Sequence, residues 1–95
     1  MKIIHTTTFK SELKNILAYI AKDKPSASLN FKNELKAYIS EIPDNPFKYR
    51  PSFYFNDKNI RDMTFKGYTV VYEVNFKKDY IEILKIFNQN KPDWA

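Results

Sequence analysis

IRDMTFKGYTVVYEV, residues 60–74, decides the fold. Two runs of β-branched and aromatic residues flank Lys66-Gly67, and Gly67 is the only glycine in the chain. Glycine adopts positive φ at little steric cost, and a two-residue turn between twisted strands needs that conformation. The stretch therefore predicts a β-hairpin of Ile60–Phe65 and Tyr68–Val74. After Asn75-Phe76-Lys77-Lys78-Asp79, the run YIEILKIF at residues 80–87 reads as a third strand by the same signals. Consecutive strands tend to be neighbours, which predicts an antiparallel meander. One face of that meander needs an apolar cover.

The cover lies upstream. Phe9, Leu13, Ile16, Leu17 and Ile20 fall on one helical face, which predicts an amphipathic helix from about Phe9 to about Lys22. Thr6, Thr7 and Thr8 supply capping hydroxyls, and Glu12 is expected in the first turn. Asp23-Lys24-Pro25-Ser26 breaks this helix, and Pro25 suits the first position of a second one because its missing N–H is not needed there. Phe31, Leu35, Tyr38, Ile39 and Ile42 make the second stripe, which Pro43 ends, so the two helices form a hairpin. Ahead of them Lys2–Thr6 is β-prone and predicts an edge strand. The fold class is α+β: an N-terminal strand and a two-helix antiparallel hairpin packed on a twisted antiparallel sheet of three to four strands. It is expected as one domain over residues 1–95. Phe9, Phe31, Tyr38 and Phe65 are assigned to its core.

Between helices and meander lies PDNPFKYRPSFYFNDKN, residues 43–59, with three prolines and no helical period. It reads as a loop with one short extended piece at Phe53–Phe55. Phe47, Tyr49, Phe53, Tyr54 and Phe55 are its candidate exposed aromatics. The chain carries 16 Lys and Arg against 11 Asp and Glu, a net charge of +5, which favours a nucleic acid, a ribonucleoprotein or an acidic protein as partner. An AT-rich genome also accounts for many of the lysines. Arginine occurs only at Arg50 and Arg61, and it is the better clamp for phosphate or carboxylate. With no cysteine and a lone His5, neither a disulfide framework nor a metal centre is expected, and no cofactor motif is present. No apolar run resembles a signal peptide or spans a membrane, so the expected compartment is the cytoplasm, with no membrane partner.

Several local patterns occur in order along the chain: Ile20-Ala21-x-Asp23-x-Pro25-x-Ala27, then Ile42-x-x-x-Pro46 leading to Tyr49-Arg50, then Ile60-Arg61-Asp62-Met63. Gly67-Tyr68-x-x-Val71-Tyr72 and Ile81-x-Ile83-Leu84-x-Ile86 follow, before a short polar tail. This ordered set spans almost the whole sequence and resembles the RelE/ParE toxin superfamily, with the ParE-like branch closer. The resemblance implies the toxin of a bacterial type II toxin–antitoxin system. A cognate antitoxin would neutralise it by laying an extended or helical segment across the fold, in a homodimer or a heterotetramer with the antitoxin. RelE-like members cleave mRNA in the ribosomal A site, whereas ParE-like members inhibit DNA gyrase without being nucleases.

The nuclease members of that superfamily work without a metal and need a base, an acid and a charge clamp. Here Glu73 and Glu82 offer carboxylates, Arg50, Arg61 and Lys85 offer clamps, and Tyr49, Tyr54, Tyr68 and Tyr72 offer rings for base stacking. The chain departs from the RelE-like pattern in three places. Thr69 stands where those relatives have an arginine after the Gly-Tyr pair. Ile60-Arg61-Asp62 replaces two lysines at alternate positions. Asn88-Gln89-Asn90 replaces a histidine or arginine, and an amide does not titrate. The expected function is therefore ParE-like: a gyrase inhibitor that arrests growth. The alternatives are a RelE-like, ribosome-dependent mRNA interferase using Arg50, Arg61 and Glu73, and a non-toxic binding module on the same fold. The expected target- or antitoxin-binding residues are Lys48, Tyr49, Arg50, Tyr54, Arg61, Lys85, Asn88 and Trp94. Arg61 also has a structural reading, paired with Asp62, Glu73 or Glu82. A mid-strand charge such as Lys85 usually marks a solvent-facing position or an edge protected from aggregation, and His5 reads as structural or solvated.

Overall fold

A computed structural model describes residues 1–89. Strand β1 (Lys2–His5) leads into helices α1 (Thr7–Asp23) and α2 (Pro25–Ser40), and a single 3-10 turn follows at Ile42–Asp44. Strands β2 (Arg50–Pro51), β3 (Ile60–Phe65), β4 (Tyr68–Asn75) and β5 (Tyr80–Asn88) complete a five-stranded sheet in the order β1-β5-β4-β3-β2. The hairpin turn is as the sequence demands: Phe65 pairs with Tyr68, and both central residues have positive φ, 48° at Lys66 and 82° at Gly67.

One face of the sheet packs on the helical hairpin. Met63, Phe65, Val70, Tyr72, Val74, Ile81, Ile83 and Ile86 meet Phe9, Phe31, Leu35, Ile39 and Ile42 in one core. A bulge at Val71/Tyr72 pairs Val71 with Lys85 and Tyr72 with Ile83, so Leu84 is the extra residue of β5. Pro25 occupies the first turn of α2, where its ring costs no hydrogen bond.

The structure departs from the sequence reading in four ways, each with a physical cause. The sheet is mixed, because β1 joins β5 in parallel. Thr6 fixes that junction: its Oγ1 donates to the carbonyls of Ile83 (2.8 Å) and Leu84 (3.1 Å) and accepts from the Phe9 N–H. Thr6 thereby caps α1 at Thr7, two residues before Phe9, and Glu12 falls beyond the first turn. There the Glu12 carboxylate accepts from the Ile86 N–H (3.1 Å) and the Lys85 ammonium (2.7 Å), closing a stretch of β5 that β1 does not reach. The extended piece of the loop is Arg50–Pro51 rather than Phe53–Phe55, since Arg50 and Pro51 pair with Asp62 and Arg61 while Asp62 captures the Phe53 N–H. Finally, Tyr38 is 47% exposed and lies edge-on over Phe65 at 5.1 Å, covering the core rather than belonging to it. Among the described residues no helix is long and apolar enough to cross a membrane.

Candidate functional site

Both arginines brace the loop at residues 43–59. The Arg61 Nε donates to the Lys58 carbonyl (2.9 Å) and its Nη1 to the Tyr49 carbonyl (3.0 Å), with the guanidinium 4.4 Å over the Phe47 ring. Arg61 thus takes backbone carbonyls instead of Asp62, Glu73 or Glu82. Arg50 pairs with Asp62 at 3.2 Å and lies 3.8 Å from the Phe53 ring centre. The same Asp62 oxygen accepts from the Phe53 N–H at 3.0 Å. Asp62 alternates with the core residue Met63 along β3, so its side chain points away from the helices. The loop therefore wraps the β2 edge of the sheet: Phe47 and Tyr49 meet Arg61 and Tyr72 on the helix side, and the stretch after Pro51 reaches the outer face, where Tyr54 stacks edge-on against Phe87 at 5.1 Å. Asp62 is nonetheless buried, and among the described residues Arg50 Nε, Asp62 Oδ1 and Thr69 Oγ1 are buried without a hydrogen-bond partner.

Tyr72 anchors the start of the loop from below. Its hydroxyl donates to the Pro46 carbonyl at 2.6 Å, and its ring is fully buried and edge-on to Tyr49. Tyr72 is accordingly a core residue and not a base-stacking ring. Burial first, and the neighbouring Tyr49 second, push its phenol well above the ordinary value, with Arg61 opposing them weakly. Tyr68 lies edge-on to Phe31 at 5.3 Å.

The three residues of the nuclease alternative are not gathered at one point. Glu73 faces Glu82 directly across β4 and β5, whereas Arg61 sits opposite Tyr72, one position over and on the other face. Arg50 is committed to Asp62 at the far edge of the sheet. Lys85 is ion-paired with Glu12, Lys48 lies 5.5 Å over the Tyr49 ring, and Asn88 is exposed opposite Tyr68. Trp94 lies outside the described residues. No group of three or more metal-ligating side chains occurs among the described residues.

A second surface went unnoticed in the sequence. Ile3, Phe9, Leu13, Leu35 and Ile39 line an apolar groove of about 380 Å³ where the two helices meet β1. Lys10, Lys32 and Lys36 also line it, as does His5, stacked 5.5 Å from Phe9. Burial, and then the Lys10 charge, lower the His5 pKa below 6.5. The helical stripes read as simple core, but Leu13 is only half-buried, so part of its stripe remains open to a partner. The available signal was the lysine spacing, which sets Lys32 and Lys36 one turn apart beside Leu35 and Ile39.

A family model described as "ParE toxin of type II toxin-antitoxin system, parDE" matches residues 3–92. Among solved structures, the chain is similar to one described as "Chromosomal ParDE TA system from P. aeruginosa". The TM-score is 0.74 at 19% sequence identity, with 93% of this chain and 95% of that chain covered, a likeness that speaks for the fold. No curated protein matches the sequence.

Proposed function

This chain belongs to the ParE toxin family, and on that premise we propose that it inhibits DNA gyrase as the toxin of a type II toxin–antitoxin pair. The family match over residues 3–92 carries the toxin reading. The solved neighbour is described as a ParDE system, and the corresponding partner here is an antitoxin segment seated in the groove between α1, α2 and β1. An apolar floor beside three lysines suits an amphipathic helix with an apolar stripe and acidic flanks. Inhibition by binding rather than by RNA cleavage is favoured by the use already made of the polar groups. Arg50 and Arg61 brace the loop, Thr69 is buried, and Glu73 faces another carboxylate.

The test incubates the purified protein with gyrase, ATP and relaxed plasmid, and in parallel with translating ribosomes and a defined mRNA. Loss of supercoiling with accumulation of cleaved plasmid, reversed by the antitoxin, is the expected result. Codon-positioned mRNA cuts with gyrase untouched would instead establish the nuclease alternative.

A further inference from the structure

We propose that Phe53 is a preorganised docking knob that inserts into an acid-rimmed apolar pocket of the toxin's protein target, on a surface separate from the antitoxin groove. The inference rests on the toxin reading above and assigns the surface that meets the target.

Phe53 is 77% exposed, so it forgoes most of the stabilisation that burying a phenyl ring provides. It is nevertheless fixed in place. Its N–H is held by Asp62 at 3.0 Å, and its ring lies against the Arg50 guanidinium at 3.8 Å, which the same carboxylate holds at 3.2 Å. Burying a carboxylate is costly even when it is paired, and this one, besides bracing the loop through Arg50, fixes the posture of an exposed ring. Folding gains little from that posture, whereas binding gains much: an anchor already held in its bound geometry loses less entropy on docking. Aromatic anchors seated in partner pockets dominate binding energy at protein interfaces. The Arg50 side chain is 36% exposed beside the ring and sets a positive collar, which selects a pocket with a carboxylate at its rim.

The loop's geometry favours a protein over a nucleic-acid strand. A strand needs successive open ring faces and free cationic clamps. Phe47 is held between Arg61 at 4.4 Å and Phe76 at 5.5 Å, one face of Phe53 is taken by Arg50, and both guanidiniums already donate inside the fold. The strand order β1-β5-β4-β3-β2 places Phe53, beside β2 and β3, at the opposite edge of the sheet from the groove at β1.

The experiment compares the wild type with Phe53→Ala and Phe53→Leu, each checked by its melting curve. Gyrase affinity, cleaved-plasmid accumulation, antitoxin affinity and growth arrest on induction are read for all three. Phe53→Ala is expected to weaken gyrase binding by about thirtyfold or more, the effect of removing an interface anchor. Phe53→Leu should retain part of it, and antitoxin affinity and melting should not move in either variant. Phe53→Ala that binds gyrase and arrests growth as the wild type does overturns the knob. A wild type that arrests growth without touching gyrase removes the gyrase reading alone, and loss of arrest in Phe53→Ala still upholds the knob. A wild type that does neither overturns both. An effect of Phe53→Ala confined to a labelled single-stranded DNA oligonucleotide, or to self-association of the chain, overturns the assignment to a protein pocket.

Discussion

Tyr72→Phe removes one oxygen from the centre of the molecule and tests how the basic loop is tied to the sheet. The Tyr72 hydroxyl donates to the Pro46 carbonyl at 2.6 Å, and the tyrosine is fully buried. A net intramolecular hydrogen bond contributes about 0.5–1.5 kcal/mol, and leaving a buried partner unsatisfied costs about 1–3 kcal/mol. Pro46 is only half-buried, so water recovers part of that second cost. The expected loss is therefore about 1–2 kcal/mol, a fall in Tm of roughly 5–15 °C for a domain of this size. The pH dependence provides an independent signature. Burial raises the Tyr72 pKa above its ordinary 10.0, so the folded state holds this proton longer than the unfolded chain does. Its contribution is fully present below pH 10.0 and is lost progressively above it, and Tyr72→Phe abolishes that alkaline component. Urea denaturation at neutral and alkaline pH reads both. A variant within about 0.3 kcal/mol of wild type, with the alkaline slope intact, would refute the tether.

The remaining expectations concern other joints of the fold. Glu12→Ala deprives Lys85 and the Ile86 N–H of a shared acceptor in a setting where both side chains are largely buried, and should cost about 2–3 kcal/mol by urea denaturation; Glu12→Gln should cost less, because it keeps an acceptor for Ile86. Gly67→Ala meets no atom within 4 Å of the added Cβ, so only the strain at φ +82° remains, about 1–2 kcal/mol in a thermal melt. His5 has a lowered folded pKa, so stability is full above pH 6.5 and declines as pH falls through the folded value; stability measured against pH should lose this decline in His5→Gln. Joint replacement of Lys10, Lys32 and Lys36 by glutamate should slow antitoxin association by about tenfold at low salt and reduce its salt dependence, with growth arrest retained.

Most of the architecture was legible because it rests on local periodicity and turn chemistry. Gly67 announced the hairpin, Pro25 the start of α2, and the two helical stripes the cover of the sheet. Properties set by distant partners were not legible. The parallel pairing of β1 depends on Thr6 reaching Ile83 and Leu84, contacts separated by 77 and 78 positions. The open groove depends on how the two helices settle on the sheet beside β1, which a stripe of apolar residues does not report.

Arg61 and Arg50 show the same limit at the candidate site. Their residue type suggested clamps for an external anion, and the sequence offered Arg61 acidic neighbours as internal partners. In the fold Arg61 turns to the Lys58 and Tyr49 carbonyls, and Asp62 becomes the partner of Arg50 across the β2–β3 pairing. With both guanidiniums donating inside the molecule, and Arg50 keeping only a partly exposed edge, the most exposed groups around the loop are phenyl rings, Phe53 at 77% exposure and Phe76 at 62%. Electrostatic attraction to an acidic target then falls chiefly to lysines, whose loose, hydrated charges steer an encounter but fix no geometry. Geometry must come from the rings, and the two arginines act by holding them. Conservative replacement of Arg50 by lysine should therefore weaken target binding while net charge is unchanged, because an ammonium that keeps Asp62 lacks the planar fork that reaches both the carboxylate and the Phe53 ring.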